Sequence, residues 1–270
     1  MAWFSKIMVG YFLTSLAICD FVYAQDLKFD HLTIEDGLSS NTVNCILQDS
    51  KGFMWFGTQE GLNRFDGYEF VSYRHNPGDS TSLSSNDILS LFEDSAGYLW
   101  VGTREGLSRH DPLTKTFKAY RPNADDPASL SHNEVHTILE TKTNDLWIGT
   151  GSGLNKFDPR TETFSHFYPN SSDSTKLQHG VINDLYEDRE GTLWLGTGLF
   201  GSKGGGLNKM LVNASSDSLR TRNGSIKFKY YGPDPDDSTS IADPWVTAIT
   251  EDHLGNLWIG TNGGLSKFDR

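Results

Sequence analysis

The chain has 270 residues, 36% of them apolar and 12% aromatic, which is enough to bury a sizeable core and excludes an intrinsically disordered segment. Its formal net charge is −12, from 35 acidic and 23 basic residues with no basic block, so a phosphate backbone or an anionic membrane surface is excluded as partner, and nucleic acid with it. Residues 1–24 read as a signal peptide: Lys6, a mostly apolar run over 7–18, and Val22-Tyr23-Ala24, which fits the small-x-small rule and makes Gln25 the first mature residue. Asp20 interrupts that run before it reaches the roughly 20 apolar residues a spanning helix needs, which argues against a retained anchor. Cys19 after Leu16-Ala17-Ile18 offers lipoprotein processing as a second reading, against which the bulky Ile18 stands. The expected location is therefore periplasmic or secreted, and the mature chain keeps only Cys45, so no intrachain disulfide can form.

From residue 25 to 270 one unit recurs five times. Trp-apolar-Gly-Thr appears at Trp55, Trp100, Trp147, Trp194 and Trp258, with the glycines Gly57, Gly102, Gly149, Gly196 and Gly260. The tryptophans lie 45, 47, 47 and 64 residues apart, close to the period of a four-stranded propeller blade. Six extra residues between Thr197 and Gly206 and eleven between Leu207 and Phe228 account for the long interval, and Phe70, Phe117, Phe164 and Phe228 each precede the next tryptophan by 30 residues. The chain is thus expected to be an all-β propeller with five blades of four antiparallel strands.

Within a unit the first strand runs over 43–48 and its counterparts into a turn at Asp49-x-x-Gly52, Asp94-x-x-Gly97, Asp188-x-x-Gly191 and Asp252-x-x-Gly255; unit three has Thr141 and Asn144 instead. An aspartate that caps the turn and a glycine tolerant of positive φ suit a tight hairpin, so these aspartates read as structural. The second strand, as in Tyr98-Leu99-Trp100-Val101-Gly102, shows no polar alternation, so both of its faces should be covered. Its tryptophan fills the space between blades and its glycine lets the neighbour approach. The third strand covers 62–66, 154–158 and 265–269, and the fourth 69–73, 116–120, 163–168 and 227–231. The fifth unit ends after its third strand, while residues 27–32 are an unpaired candidate strand whose Phe29 sits where a fourth-strand phenylalanine belongs. Two arrangements fit: a ring closed by that N-terminal strand, or part of a longer propeller.

Gly37-Leu38-Ser39-Ser40-Asn41, then Asp49-Ser50-Lys51-Gly52-Phe53-Met54-Trp55-Phe56-Gly57-Thr58, then Gly61-Leu62-Asn63-Arg64-Phe65-Asp66 resembles the two-component regulator propeller repeat, over essentially all of 27–270. The resemblance implies the periplasmic sensor region of a bacterial hybrid histidine kinase, in which propellers, usually seven-bladed, sense carbohydrate breakdown products. The sequence itself carries no kinase, receiver or regulator block, so signalling output is not expected from it.

The candidate chemistry is sparse. Asp79, Asp126, Asp173 and Asp237 open the loops that lead into the next first strand, each 21 residues before its tryptophan; once per blade they would ring a rim, which suits loop capping better than a calcium site. Asn41, Asn86 and Asn133 lie 14 residues before their tryptophans and could form a polar ring toward a ligand, although Gly180 and Pro244 break it and local backbone bonding is the other reading. For a sugar, the candidates are the aromatics taken to lie outside the repeat, Trp245, Tyr168, Tyr231 and Phe200, with core packing the alternative for Trp245. The insertion 198–206, five glycines in nine residues, reads as a mobile surface loop and not a nucleotide cradle. His132 and His136 are not spaced to share one face, so neither a metal site nor a cofactor is expected. The expected partner is an oligosaccharide or other small ligand, with another periplasmic protein as the alternative. A propeller glycosidase or lyase is the remaining rival, and no arginine cluster with a nucleophilic tyrosine can be assembled for it.

Overall fold

The structure is a computed structural model that describes residues 28–170, 172–202, 204–211 and 226–269; the expected signal peptide, Leu27 and most of the second insertion lie outside the described residues. The chain divides into two units, Met1–Leu32 and Thr33–Arg270. In the first, residues 28–32 form no strand and Phe29 is 79% exposed. The expected closing strand is therefore not formed by these residues.

The second unit opens with a single 3-10 turn, Ile34–Asp36, closed by a reciprocal Thr33–Asp36 cap. Among the described residues nineteen strands follow in five antiparallel sheets. The first holds β1 to β4 (Val43–Gln48, Met54–Thr58, Gly61–Phe65, Phe70–Tyr73) and the second β5 to β8 (Ile88–Glu93, Leu99–Thr103, Gly106–His110, Phe117–Tyr120). The third holds β9 to β12 (Val135–Glu140, Leu146–Thr150, Gly153–Asp158, Thr163–Phe167) and the fourth β13 to β16 (Ile182–Glu187, Leu193–Thr197, Gly206–Leu211, Lys227–Tyr231). The fifth has three strands, β17 to β19 (Val246–Glu251, Leu257–Thr261, Gly264–Phe268). Strand order follows chain order throughout, as in a propeller meander.

Two short-range devices set each sheet. At the first hairpin, Asp49 Oδ1 accepts the Lys51 and Phe53 amides while Oδ2 accepts Trp55 Nε1 at 2.8 Å. Asp94, Asp188 and Asp252 hold Trp100, Trp194 and Trp258 in the same way, at 2.6, 2.7 and 3.0 Å. These aspartates thus fix the turn and the indole together. In the third sheet the Asp145 amide donates to Thr141 Oγ1, and Asn144 takes the left-handed φ of 60° that glycine supplies elsewhere. At the second hairpin the buried hydroxyls of Thr58, Thr103, Thr150 and Thr197 donate to the carbonyls of Gly61, Gly106, Gly153 and Gly206.

The core is a series of layers between successive sheets. Trp55, Leu62, Ile88 and Phe117 join the first two sheets, and Trp100, Leu107, Val135 and Phe157 the next two. Trp147, Leu154 and Ile182 fill the third layer, and Trp194, Leu207 and Val246 the fourth. At each junction the motif glycine lies under the first residue of the next sheet. A Cβ on Gly57 would come within 2.6 Å of Ile88 Cγ2, on Gly102 within 2.7 Å of the Val135 carbonyl, on Gly149 within 2.8 Å of Ile182 Cγ2 and on Gly196 within 2.6 Å of Val246 Cγ1. Around Gly260 the nearest atoms belong to its own sheet and none is closer than 3.6 Å. The outer faces of the first and last sheets are accordingly bare: Ile46 is 61% and Leu265 66% exposed, whereas Leu62, Leu107 and Leu154 are fully buried.

This difference generates a paired test. Gly102→Ala forces the Val135 backbone away and should lower stability by about 1–3 kcal/mol, as overpacking does, whereas Gly260→Ala should change it by less than about 0.5 kcal/mol. Urea unfolding of both variants beside wild type checks the pair.

Candidate functional site

The strand registers place the candidate residues. Val43 pairs with Thr58, Thr58 with Gly61 and Leu62 with Tyr73, and the corresponding pairings recur in the other sheets, except that the fifth has no fourth strand among the described residues. All loops entering first strands and all second hairpins therefore emerge at one end of the sheets, the loop face; the Asp-x-x-Gly turns emerge at the other, the turn face. Asn41, Asn86, Asn133, Tyr168, Phe200, Tyr231 and Trp245 all lie toward the loop face.

They do not form one cluster. Asn41 Oδ1 accepts the Ile34 amide at 3.1 Å and Asn86 Oδ1 the His75 amide at 2.7 Å, so both side chains serve local backbone. Asn133 uses its carbonyl, which accepts the Gly106 amide of the preceding sheet at 2.7 Å, and Gly180 does the same for Gly153 at 2.6 Å. This role needs no side chain, so a glycine at the column is no interruption. The loop aspartates are capped as expected: Asp79, Asp173 and Asp237 each accept both the amide and the hydroxyl of the threonine two residues on, and these bonds hold their carboxyls below the usual range.

Tyr231 corrects the sequence reading. It pairs with Leu207 as Tyr73 pairs with Leu62, which makes it a repeat position, and it packs against Trp194 and Phe268. With Ile241, Ile259, Leu265 and Phe268 it lines a groove of about 810 Å³ along β19. That groove occupies the side of β19 where a fourth strand runs in the other sheets. Tyr168 stands apart just after the last strand of the third sheet, half exposed, with its hydroxyl against His166 Nδ1 at 3.3 Å.

Phe200 and Trp245 are brought together. Their rings meet edge to face with centroids 5.9 Å apart and planes at 71°, Phe200 being 73% exposed and Trp245 half-buried. The glycine-rich insertion makes this contact. A Cβ on Gly198 would fall 2.4 Å from the Pro244 carbonyl, and on Gly205 2.3 Å from it, so only glycine lets the loop lie on that backbone. Asn183 Nδ2 fastens the base by donating to the carbonyls of Gly198 (2.8 Å) and Val246 (2.9 Å), and Leu199 and Ser202 close a tight turn beneath Phe200. The loop expected to be a mobile surface feature is thus seated, at both ends, on the fifth sheet. The result is an aromatic shelf at the junction of the fourth and fifth sheets.

One residue of this junction escaped the sequence reading. Asp184 occupies the column held elsewhere by Cys45, Ser90, Thr137 and Ala248, opposite the motif glycine. Its Oδ2 accepts the Ile249 amide at 2.7 Å and Oδ1 the Leu185 amide at 2.9 Å, yet burial outweighs these bonds and pushes the carboxyl up to about 6. A charged residue among small ones in an aligned repeat column is the signal that would have found it.

Because the folded carboxyl holds its proton more tightly than the unfolded one, its ionisation opposes folding: the cost is absent below about pH 4 and develops as the pH rises through 6. Asp184→Asn, which keeps an acceptor for Ile249, should remove this dependence. The difference in stability between variant and wild type should grow in the variant's favour by on the order of 2–3 kcal/mol between pH 4 and 7; urea melts across that range measure it.

The comparisons with known proteins follow this architecture. The family described as "Two component regulator propeller" matches at residues 37–60, 82–105, 129–152, 176–198 and 240–263, one match for each sheet. The chain is 42% identical over 80 residues to Histidine kinase P4 of Formosa agariphila, a match over 30% of this chain and 6% of that protein. It superposes with a TM-score of 0.52 and 25% identity on the extracellular domain assigned to the hybrid two-component system BT3049 of B. thetaiotaomicron, covering 88% of this chain and 41% of that one. Virginiamycin B lyase from Staphylococcus aureus, at 16% identity and a TM-score of 0.57 over 91% of this chain and 75% of its own, shares the fold alone. The chain thus carries five two-component regulator propeller repeats and spans less than half of the first two relatives. Among the described residues no helix is long and apolar enough to cross a membrane.

Proposed function

From the five two-component regulator propeller repeats, we propose that the chain is a ligand-receiving module of an extracytoplasmic sensor, acting by binding and not by catalysis, and that its ligand is a carbohydrate received at the shelf formed by Phe200 and Trp245. The observation that carries this reading is the shelf itself: the fourth repeat alone has an insertion between its second and third strands, and the insertion presents an exposed aromatic ring against a second one. Aromatic faces stack on the apolar faces of sugar rings, and a chain of net charge −12 disfavours anionic ligands at an unshielded surface. A signal peptide over residues 1–24 would deliver the module to the periplasm, where oligosaccharides arrive.

A protein partner is the second reading, favoured by the bare outer faces of the first and fifth sheets, where Ile46 and Leu265 are exposed. The two readings part in one experiment. The thermal midpoint of the purified chain is followed against a panel of neutral oligosaccharides, since a ligand that binds only the folded form must raise it. A saturable rise for one sugar class, reduced at least tenfold in apparent affinity by Trp245→Ala or Phe200→Ala, is the expected result. A folded chain whose midpoint no sugar moves overturns the carbohydrate reading and leaves the protein-binding one.

A further inference from the structure

On the turn face, at the junction of the first and second sheets, one position reverses charge against the next junction. Between the second and third sheets, Arg109 lies across the strand from Trp100 and donates to Glu162 Oε1 at 3.1 Å. Glu162 belongs to the turn joining β11 and β12, and its carboxylate also receives Lys118 Nζ and, at 3.3 Å, the Tyr120 hydroxyl. The Lys118 bond above all holds its carboxyl below the ordinary range. This carboxylate closes the turn-face end of the junction.

The preceding junction has the same framework without the carboxylate. Arg64 lies across from Trp55 as Arg109 does from Trp100, and Tyr73 pairs with Leu62 as Tyr120 pairs with Leu107. Lys115 stands where Glu162 stands: both are two residues before the fourth-strand phenylalanine, both have a left-handed φ (59° and 55°), and their amides donate to Asp111 and Asp158 respectively. His110 replaces Phe157 in the ring cluster, packed by Trp55, Tyr73 and Phe117.

The consequence is a cavity of about 60 Å³ that Arg64, Tyr73, His110 and Lys115 line together with Lys51. Arg64 Nε and His110 Nε2 are both buried there without a hydrogen-bond partner, and His110 is only 6% exposed. Leaving such groups unpaired forgoes the hydrogen bonds that burial makes costly to lose. None of Arg64, Lys51 and Lys115 has an ion-pair partner among the described residues, in a protein that is otherwise strongly acidic. The two carboxylates that border the cavity are already engaged: Asp49 by the turn amides and Trp55, Glu93 by the amide and hydroxyl of Ser50 at 2.6 and 2.9 Å. Burial, aided by Arg64 and Lys51, holds the His110 imidazole down at about 4, so near neutral pH the ring is uncharged and can donate one N–H from Nε2.

We propose that this cavity is a binding site for a small carboxylate, which takes the place that Glu162 fills in the neighbouring junction, with Arg64 and Lys115 as its cationic partners and His110 Nε2 as a further donor. The inference stands independently of the carbohydrate reading, because it concerns the opposite face, different sheets and a charged ligand.

The test uses acetate as probe on the full chain, with sodium chloride adjusted to keep ionic strength constant and the thermal midpoint as readout. Wild type should show a saturable rise with acetate that chloride does not reproduce. Lys115→Glu supplies the carboxylate internally, so it should melt higher than wild type without acetate and lose the response. His110→Phe restores the residue of the neighbouring junction and should weaken the response at least tenfold while leaving the fold intact. No acetate response in wild type, an equal response to chloride, or a full response retained by Lys115→Glu each overturns the assignment.

Discussion

A missing methyl group organises this molecule. Wherever two sheets meet, a glycine of the second strand faces the β-branched first residue of the next sheet, and Ile88, Val135, Ile182 and Val246 occupy the volume that a Cβ would claim. The close approach lets Trp55, Trp100, Trp147 and Trp194 fill the space between successive sheets, so each layer combines one large side chain with one absent one. Stability is therefore distributed as nearest-neighbour terms between blades. Each blade depends on its neighbours, and the two terminal faces depend on nothing within the described residues.

The polar groups of the repeat are consumed locally, which decides where function can reside. The turn aspartates satisfy two amides and an indole, the hairpin threonines a carbonyl, and the loop aspartates a threonine. None of these groups is left to meet a ligand. What remains are the departures from the repeat: an insertion that raises Phe200 onto Trp245, an aspartate in a column of small residues, and a histidine and a lysine where the next junction has phenylalanine and glutamate. A repeat fold acquires specific chemistry at such positions because its regular ones are committed to packing and turn closure.

The sequence made the architecture legible because the repeat is its own alignment. Five phased tryptophans defined five sheets, and the strand limits inferred from them agree with the structure to within a residue. The sites were less legible for a physical reason. Asn41, Asn86 and Asn133 look alike as a column, yet two accept through their side-chain oxygens and one through its backbone carbonyl, which only the backbone path of each loop determines. Tyr231, grouped with the aromatics outside the repeat, stands three residues after Phe228 as Tyr73 stands three after Phe70, and its pairing with Leu207 makes it a repeat position. Phe29 had the right spacing for a fourth strand, but spacing says nothing of whether a segment pairs. The contrast between Lys115 and Glu162 is visible in the sequence once the turns are superposed; its meaning requires knowing that the turn residue of one sheet reaches the arginine of the sheet before it.

Both of the proposed sites lie at junctions between sheets. A ligand at the proposed Phe200–Trp245 shelf would touch the insertion of the fourth sheet and the segment entering the fifth, so its binding energy would add to the term that joins those sheets. Among the described residues the fifth sheet has three strands and packs against the fourth alone, so that junction is its main support. Asp184 lies inside it, ionising at a cost to the same contact. Occupancy of the proposed shelf would therefore act on the same equilibrium as protonation of Asp184, the seating of the fifth sheet on the fourth. The carboxylate cavity acts in the same way on the first junction, where the cation in place of Glu162 leaves a layer that an external anion can complete.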